Sequence, residues 1–398
     1  MSTKYLIILV FLILNHFFGA FPMSFSITVP ILLVFLALGW KEESDYKKVF
    51  ITIIVGILCS MISCRIFRGQ SIIDSIKAMP NYFGILFYFF LKWKKVSLST
   101  IQTVLVYLVV VFNILYIAQY YLIDYGINFL NVDDWMLSDS TEGNRLRVMS
   151  SGLYSLGMFY GLVQWYVTHK RKFLILFVVG AFVMLLTGYR QFLLSSLLAI
   201  LFMLYKLDKR IKLKHIGMIL IVVAVGYALY QIPAVQQKIA GMIERNDTGA
   251  SLDNKDYIRV IQWEFFNYEY FKNGIEHFFG SGLPFTDSSF GKYFQTLTDS
   301  GLQYVDWGII GVSWMLGVIT FVGYVWMALK VIFRKVPPRY LYVSLWYIFL
   351  LSSSITNWEF FRDGNFLVHA IAIYIVELSS KINYDNKNSV LLRQQKQC

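Results

Sequence analysis

Histidine is scarce and scattered in this chain of 398 residues: His16, His169, His215, His277 and His369 show no paired ligand spacing, so no metal centre is legible. There is no G-x-x-x-x-G-K-[S/T] phosphate loop, and Gly280-Ser281-Gly282 lacks the third glycine and the preceding strand of a dinucleotide site. Both absences argue against an ATP-driven pump. Cysteine is limited to Cys59 and Cys64 in one apolar segment and Cys398 far away, which gives no disulfide framework. Charged residues make up only 15% of the chain, too few for an ordinary soluble domain. The net charge of +12 is dispersed in short segments, without an RNA-binding signature or a basic helix interleaved with aromatics, so nucleic acid is not expected as a partner.

What the chain has in quantity is hydrocarbon, with 57% hydrophobic residues. A helix rises about 1.5 Å per residue and the bilayer core is about 30 Å thick, so one crossing takes roughly 20 apolar residues. Apolar runs fall near 5–20, 24–40, 49–64, 79–91, 98–121, 150–168, 173–187, 191–205, 215–233, 303–330, 340–356 and 366–380. They predict an all-α, polytopic transmembrane protein of about twelve spans. The fourth run is short and begins at Pro80. Residues 4–21 resemble a signal peptide but lack a small-x-small cleavage pattern at Phe17-Phe18-Gly19-Ala20-Phe21, so they read as a retained first helix. Basic clusters in 41–48, 92–95, 169–172, 206–215, 330–339 and beyond 381 belong on the cytoplasmic side by the positive-inside rule, which sets both termini there. Spans 1–9 then occupy residues 1–233, a large outer loop forms a subdomain over 234–302, and spans 10–12 with a cytoplasmic tail fill 303–398.

The run from Phe173 to Tyr205 is too long for one crossing. Its flanks, His169-Lys170-Arg171-Lys172 and Lys206-Leu207-Asp208-Lys209-Arg210, are both basic, so two helices hinged near Gly188 keep both flanks inside and put Arg190 at an outer tip. An arginine there is costly unless it meets water or an anion. The other outer positive charges are also mostly arginines: Arg65, Arg68, Arg145, Arg147, Arg245, Arg259 and Arg362, against lysine-rich inner segments. Arginine's rigid fork of donors matches phosphate oxygens, which points to an anionic ligand at the outer face. Two outer loops are long. The first, 122–149, carries Asp133-Asp134-Trp135; the second contains a predicted helix over 257–271 with Ile258, Ile261, Phe265 and Tyr268 on one face, suited to the membrane surface.

Taken in order, Arg190, Arg259 in Tyr257-Ile258-Arg259-Val260-Ile261-Gln262-Trp263, Gly280-Ser281-Gly282, Thr298-Asp299-Ser300-Gly301 and Trp307-Gly308-Ile309-Ile310-Gly311 make a pattern. It resembles the O-antigen polymerase and O-antigen ligase superfamily over residues 170–330. That resemblance implies a glycosyltransferase in a bacterial inner membrane, acting on polyprenyl diphosphate-linked oligosaccharides at the periplasmic face. It places essential arginines at Arg190 and Arg259, where they would stabilise the departing diphosphate. Arg145, Arg147 and Arg362 are supporting candidates on exposure and charge alone. The ligase branch has a His-Asn pair shortly before the Gly-Ile-Ile-Gly segment. Here that position reads Asp299-Ser300, with Asp306 just ahead of Gly308, which favours a polymerase of O-antigen or capsule repeat units over a ligase. Asp299 and Asp306 are the catalytic candidates, and an N-capping role for Asp299 or Ser300 stands beside that. No nucleotide cofactor is expected, because the diphosphate link already carries the activation. The implied partners are the bilayer, a chain-length regulator and a flippase. A flippase is itself the transporter alternative, although the chain shows no repeat between its halves.

Overall fold

Away from water, a long apolar run satisfies its backbone N–H and C=O groups most completely by coiling. The computed structural model describes residues 2–21, 25–132, 146–207, 213–247 and 257–395, and its regular elements there are all helical. The N-terminal half contains α1 (Thr3–Leu14), α2 (Phe25–Gly39), α3 (Lys47–Arg68), α4 (Ile72–Ala78), α5 (Phe87–Trp93), α6 (Leu98–Leu122), α7 (Gly152–Thr168), α8 (Arg171–Leu186) and α9 (Arg190–Leu207). Then follow α10 (Leu213–Tyr230), α11 (Pro233–Asp247), α12 (Ile258–Glu264), α13 (Gly274–Phe279) and α14 (Ser289–Asp299). The chain closes with α15 (Gly308–Phe333), α16 (Tyr342–Ser353) and α17 (Asn365–Gln395).

Five helical stretches among the described residues are long and apolar enough to cross a membrane: Lys47–Arg68, Leu98–Tyr125, Arg190–Leu207, Tyr304–Phe333 and Asn365–Ile382. A sixth is reached if Leu220–Tyr230 and Pro233–Gly241, bent by 95°, count as one broken span. Thr3–Leu14 and Ile27–Gly39 are apolar but shorter. The outward faces show which solvent they meet. On α3, Ile51, Val55, Leu58, Ile62 and Ile66 form an exposed stripe at three- and four-residue spacing, and Leu194, Leu197, Leu201 and Tyr205 do the same on α9. Helices apolar on both faces belong to a membrane protein.

The interior is built around α7, α16 and the first turns of α17. Residues 152–164 of α7 are buried without interruption, as are Tyr342 to Tyr347 of α16. Helix α7 packs on α8, α16 on α9 and α3 on α15. The α7–α8 crossing is close because Gly161 meets the backbone of Phe173 and Phe177, and Gly180 meets Met158.

Several predicted elements differ in detail. The fourth run is not one helix: Pro80–Leu86 is a 3-10 helix that hands over to α5. The predicted 257–271 helix is regular only as α12 and continues as a π-helical turn, Phe265–Glu269. The π turn keeps Gln262, Phe266 and Tyr270 buried while Ile258, Ile261 and Tyr268 stay exposed. The 173–205 run breaks at residues 187–189, where Gly188 has φ +70°. Ser196 Oγ donates to Met184 Sδ at 3.2 Å across that break. In one straight helix twelve residues would separate them by about 18 Å, so the chain turns back.

Contacts sort the connections into two groups. Asp45 pairs with Arg334, Lys92 Nζ reaches Glu377 Oε1 at 3.1 Å, Tyr374 Oη donates to Val96 O at 2.7 Å, and Gln164 Nε2 donates to Arg339 O at 2.6 Å. These gather the lysine-bearing connections. The opposite helix ends, including the start of α9, the lead into α15 and the approach to α17, meet around a cavity.

Helix α15 is itself broken. Gly317 has φ +79° and ψ +167°, and the freed carbonyls of Trp314 and Met315 accept from Ser281 N–H at 3.1 Å and Gly282 N–H at 2.8 Å. The Gly280-Ser281-Gly282 segment is therefore a packing joint, not a phosphate cradle. A Cβ on Gly317 would sit 2.4 Å from Phe279 O. Gly317→Ala is expected to cost roughly 2–5 kcal/mol, from left-handed strain and overpacking together. The thermal midpoint of the purified protein in detergent should fall accordingly, while Gly226→Ala, inside α10 with nothing within 4 Å of the added atom, does not lower it.

Candidate functional site

The cavity has a volume of about 1540 Å³. Arg147, Arg190, Arg259, Arg362, Asp299 and Asp306 all line it, so six of the seven side chains singled out in the sequence share one space. The seventh, Arg145, lies outside the described residues, as do Asp133, Asp134 and Trp135. Of the other arginines that the charge pattern assigns to the outer face, Arg68 is spent elsewhere. It pairs with the buried Glu276, donates through Nη2 to Tyr270 O at 2.7 Å and stacks over the Tyr270 ring at 4.2 Å. Arg65 donates to Gly69 O at 3.3 Å and does not line the cavity.

One wall is cationic. Arg190 is the exposed first residue of α9, so the positive end of that helix dipole faces the same space. Tyr189, immediately before it, organises two neighbours: Arg147 Nε donates to Tyr189 Oη at 2.9 Å, and the Arg362 guanidinium lies 5.9 Å from the Tyr189 ring centroid. Behind Arg362 sits a buried polar knot. Glu359 Oε2 lies 3.1 Å from Arg362 Nη2, Ser151 Oγ donates to Glu359 Oε1 at 2.7 Å, and Asn365 Nδ2 donates to Glu359 O at 2.6 Å. Asn365 Oδ1 accepts from Gly152 N–H at 2.8 Å, tying α7 to α17.

Burial pushes the Glu359 carboxyl up, and Arg362, Ser151 and Asn365 pull it back only in part. For Arg362, burial works against the charge, but Glu359 and the surrounding tyrosines outweigh it and hold the guanidinium above its ordinary value. Both are raised, which disfavours charge on the carboxyl and favours it on the guanidinium. A guanidinium has no accessible neutral form, so Arg362 stays charged and Glu359 is its counter-ion.

The other wall comes from the 257–306 region. Arg259 is half-buried on α12 and its Nη2 donates to Thr356 O at 3.3 Å. Asp306 Oδ2 accepts from the fully buried Gln262 Nε2 at 3.0 Å, and the same amide donates to Gly301 O at 2.8 Å. Asp299 is exposed and accepts from Gln295 Nε2 at 2.8 Å. The N-capping alternative does not hold: Asp299 is the last residue of α14 and Ser300 its C-cap, because the amphipathic run Ser289–Asp299 ends at Gly301, with φ +86°. The cap at the start of that helix is Ser288, whose Oγ accepts from Gly291 N–H.

The Gly308-Ile309-Ile310-Gly311 segment fixes where this wall meets the α16–α17 connection. Ile309 N–H donates to Ser354 O at 2.7 Å, and a Cβ on Gly308 would fall 2.0 Å from that same oxygen. The close approach brings Thr356, Asn357 and Trp358 to the cavity edge. Trp307, by contrast, belongs to an aromatic cluster with Trp263 and Trp314 at 4.8 and 6.3 Å.

Tyr189, Gln262, Glu359, Asp363 and His16 escaped the reading of the sequence. Two carried a local signal, since Tyr189 adjoins Arg190 and Glu359 lies one helical turn before Arg362. Among the described residues no group of three His, Cys, Asp or Glu side chains is placed to hold a metal ion. Comparisons with protein-family models, curated proteins and solved structures yield no match to this chain.

Proposed function

We propose that this protein is a glycosyltransferase of bacterial surface-polysaccharide assembly, a polymerase that moves a glycan from a polyprenyl diphosphate carrier to the acceptor end of another lipid-linked unit. The observation that carries this reading is the meeting of Arg147, Arg190, Arg259 and Arg362 with Asp299 and Asp306 on one cavity. Transfer from a diphosphate needs donors where negative charge develops on the leaving group, and preorganised arginine forks supply them. The tyrosine-ordered wall of Arg147, Arg190 and Arg362 suits the departing diphosphate, and Arg259 reaches it from the facing wall. The aspartates stand where the acceptor is oriented. A space of about 1540 Å³ exceeds the roughly 300–1,000 Å³ of pockets for drug-sized ligands, which suits two oligosaccharides better than one small molecule.

In this reading the cavity faces the periplasm and the lysine-bearing ends face the cytoplasm, in keeping with the positive-inside rule. The shorter helices α1, α2, α7, α8 and α16, with the 3-10 helix and α5 over Pro80–Trp93, would complete about twelve crossings of the inner membrane. The test is reconstitution: purified protein given synthetic polyprenyl diphosphate-linked repeats should lengthen them by whole units, read by mass. Repeats that change leaflet without changing mass would identify a flippase and sink the polymerase. Tyr189→Phe removes the hydroxyl that fixes Arg147 Nε. At about 1.5–3 kcal/mol for a hydrogen bond to a charged group, its loss should lower kcat/KM for the donor roughly ten- to a hundredfold.

A further inference from the structure

After α1 the chain makes a strained turn. His16, Phe17 and Phe18 have φ of 49°, 50° and 62°, and Gly19 follows at 92°. A left-handed L-residue costs roughly 1–2 kcal/mol and normally occurs singly, so three in succession persist only where the surroundings fix them. They are fixed here. Asn15 Oδ1 accepts from Ser150 Oγ at 2.9 Å, Ser150 N–H donates to Asp363 O at 2.7 Å, and the Phe18 ring meets Phe112 of α6 edge-on at 5.5 Å. Asn15 and Phe18 are thereby buried, while His16 is delivered to the cavity wall.

The His16 ring has no hydrogen-bond partner among the described residues. The other described histidine side chains are engaged or distant. His369 is buried with its ring nitrogens 2.9 Å from Tyr347 Oη and 3.0 Å from Phe360 O, and His277 stacks on Phe271 away from the cavity. Asp306 and Asp299 are already held by Gln262 and Gln295.

We propose that His16 is the general base of this cavity, taking the proton from the acceptor hydroxyl as that oxygen attacks the anomeric carbon of the donor. This rests on glycosyl transfer being the reaction of the site. The new bond joins acceptor oxygen to anomeric carbon, and the bond from that carbon to the carrier diphosphate breaks, its electron pair leaving with the diphosphate. The acceptor proton passes to an imidazole nitrogen and from there to solvent. A base must be unprotonated with a free lone pair at the working pH. Half-burial lowers the His16 pKa below its ordinary value, so the ring is neutral at pH 7. Of the segments packed on the turn, 146–150 contributes Arg147 and the approach to α17 contributes Arg362 and Asp363, whereas α6 contributes Phe112.

The experiment is the pH–rate profile of the purified full chain lengthening a synthetic polyprenyl diphosphate-linked repeat, for wild type, His16→Asn and His16→Gln. Asparagine tolerates left-handed backbone and carries no base; glutamine covers the case in which asparagine disturbs the turn. The wild-type rate should fall as pH drops through the lowered His16 pKa. The variants should lose roughly 10²–10⁴-fold in kcat together with that acid limb, while KM and thermal midpoint hold. Variants that keep the acid limb, or lose activity through KM alone, overturn the assignment with the transfer reading intact. A wild-type protein that lengthens nothing overturns both.

Discussion

Replacing Arg190 or Arg259 with alanine is expected to lower repeat transfer by roughly 10²–10³-fold, the usual cost of removing one preorganised donor from a site of developing negative charge. The two variants should nevertheless reach the membrane at wild-type levels. Arg190 is exposed at the first position of α9 and Arg259 is half-buried with one carbonyl contact, so neither is a pillar of the packing. The readout is the length ladder of surface glycan in cells, checked against lengthening in detergent. Lysine at either position should restore only part of the rate, because an ammonium offers a point charge in place of a fork. Normal ladders in both alanine variants would remove the cavity from the reaction.

Glu359→Ala is expected to damage the protein itself. The carboxylate is fully buried, and its loss would leave Arg362, 8% exposed, without a counter-ion and Ser151 without an acceptor. Breaking a buried pair by removing one partner costs about 3–5 kcal/mol, enough to lower the thermal midpoint and the amount of protein recovered from membranes. Glu359→Gln keeps an acceptor for Ser151 and should recover part of the stability. A double variant, Glu359→Leu with Arg362→Met, removes both charges and should be more stable than Glu359→Ala. If the double variant is the less stable of the two, the ion pair is not the reason the single change hurts.

The contrast between these predictions shows what a sequence exposes. The break at Gly188 was readable because the apolar run is too long for one crossing and is basic at both ends, a matter of length and charge alone. The membrane character was readable for the same reason. Partnerships across the chain were not. Arg68 looked like Arg190 in the sequence, yet its partner Glu276 lies 208 residues away and removes it from the cavity. Asp299 could be read as a cap or a base until the end of α14 fixed which end of a helix it occupies. His16 carries no local signal in the sequence, because its place depends on a turn held by Ser150 and Asp363. The Gly-x-Gly segment is only one mark of the family pattern in the sequence, and its backbone serves another helix.

That last arrangement bears on biogenesis. In hydrocarbon, the carbonyls left open at Gly317 would go unsatisfied, at several kcal/mol each, unless Ser281 and Gly282 are already in place. These residues precede α15 in the chain and so leave the ribosome first. On the proposed topology the segment that carries them crosses the bilayer before α15 can settle, and insertion of the helix and docking of the segment become one event. A translocation delay confined to residues 257–300 would then strand α15 half-inserted, exposing it to membrane proteolysis at the break.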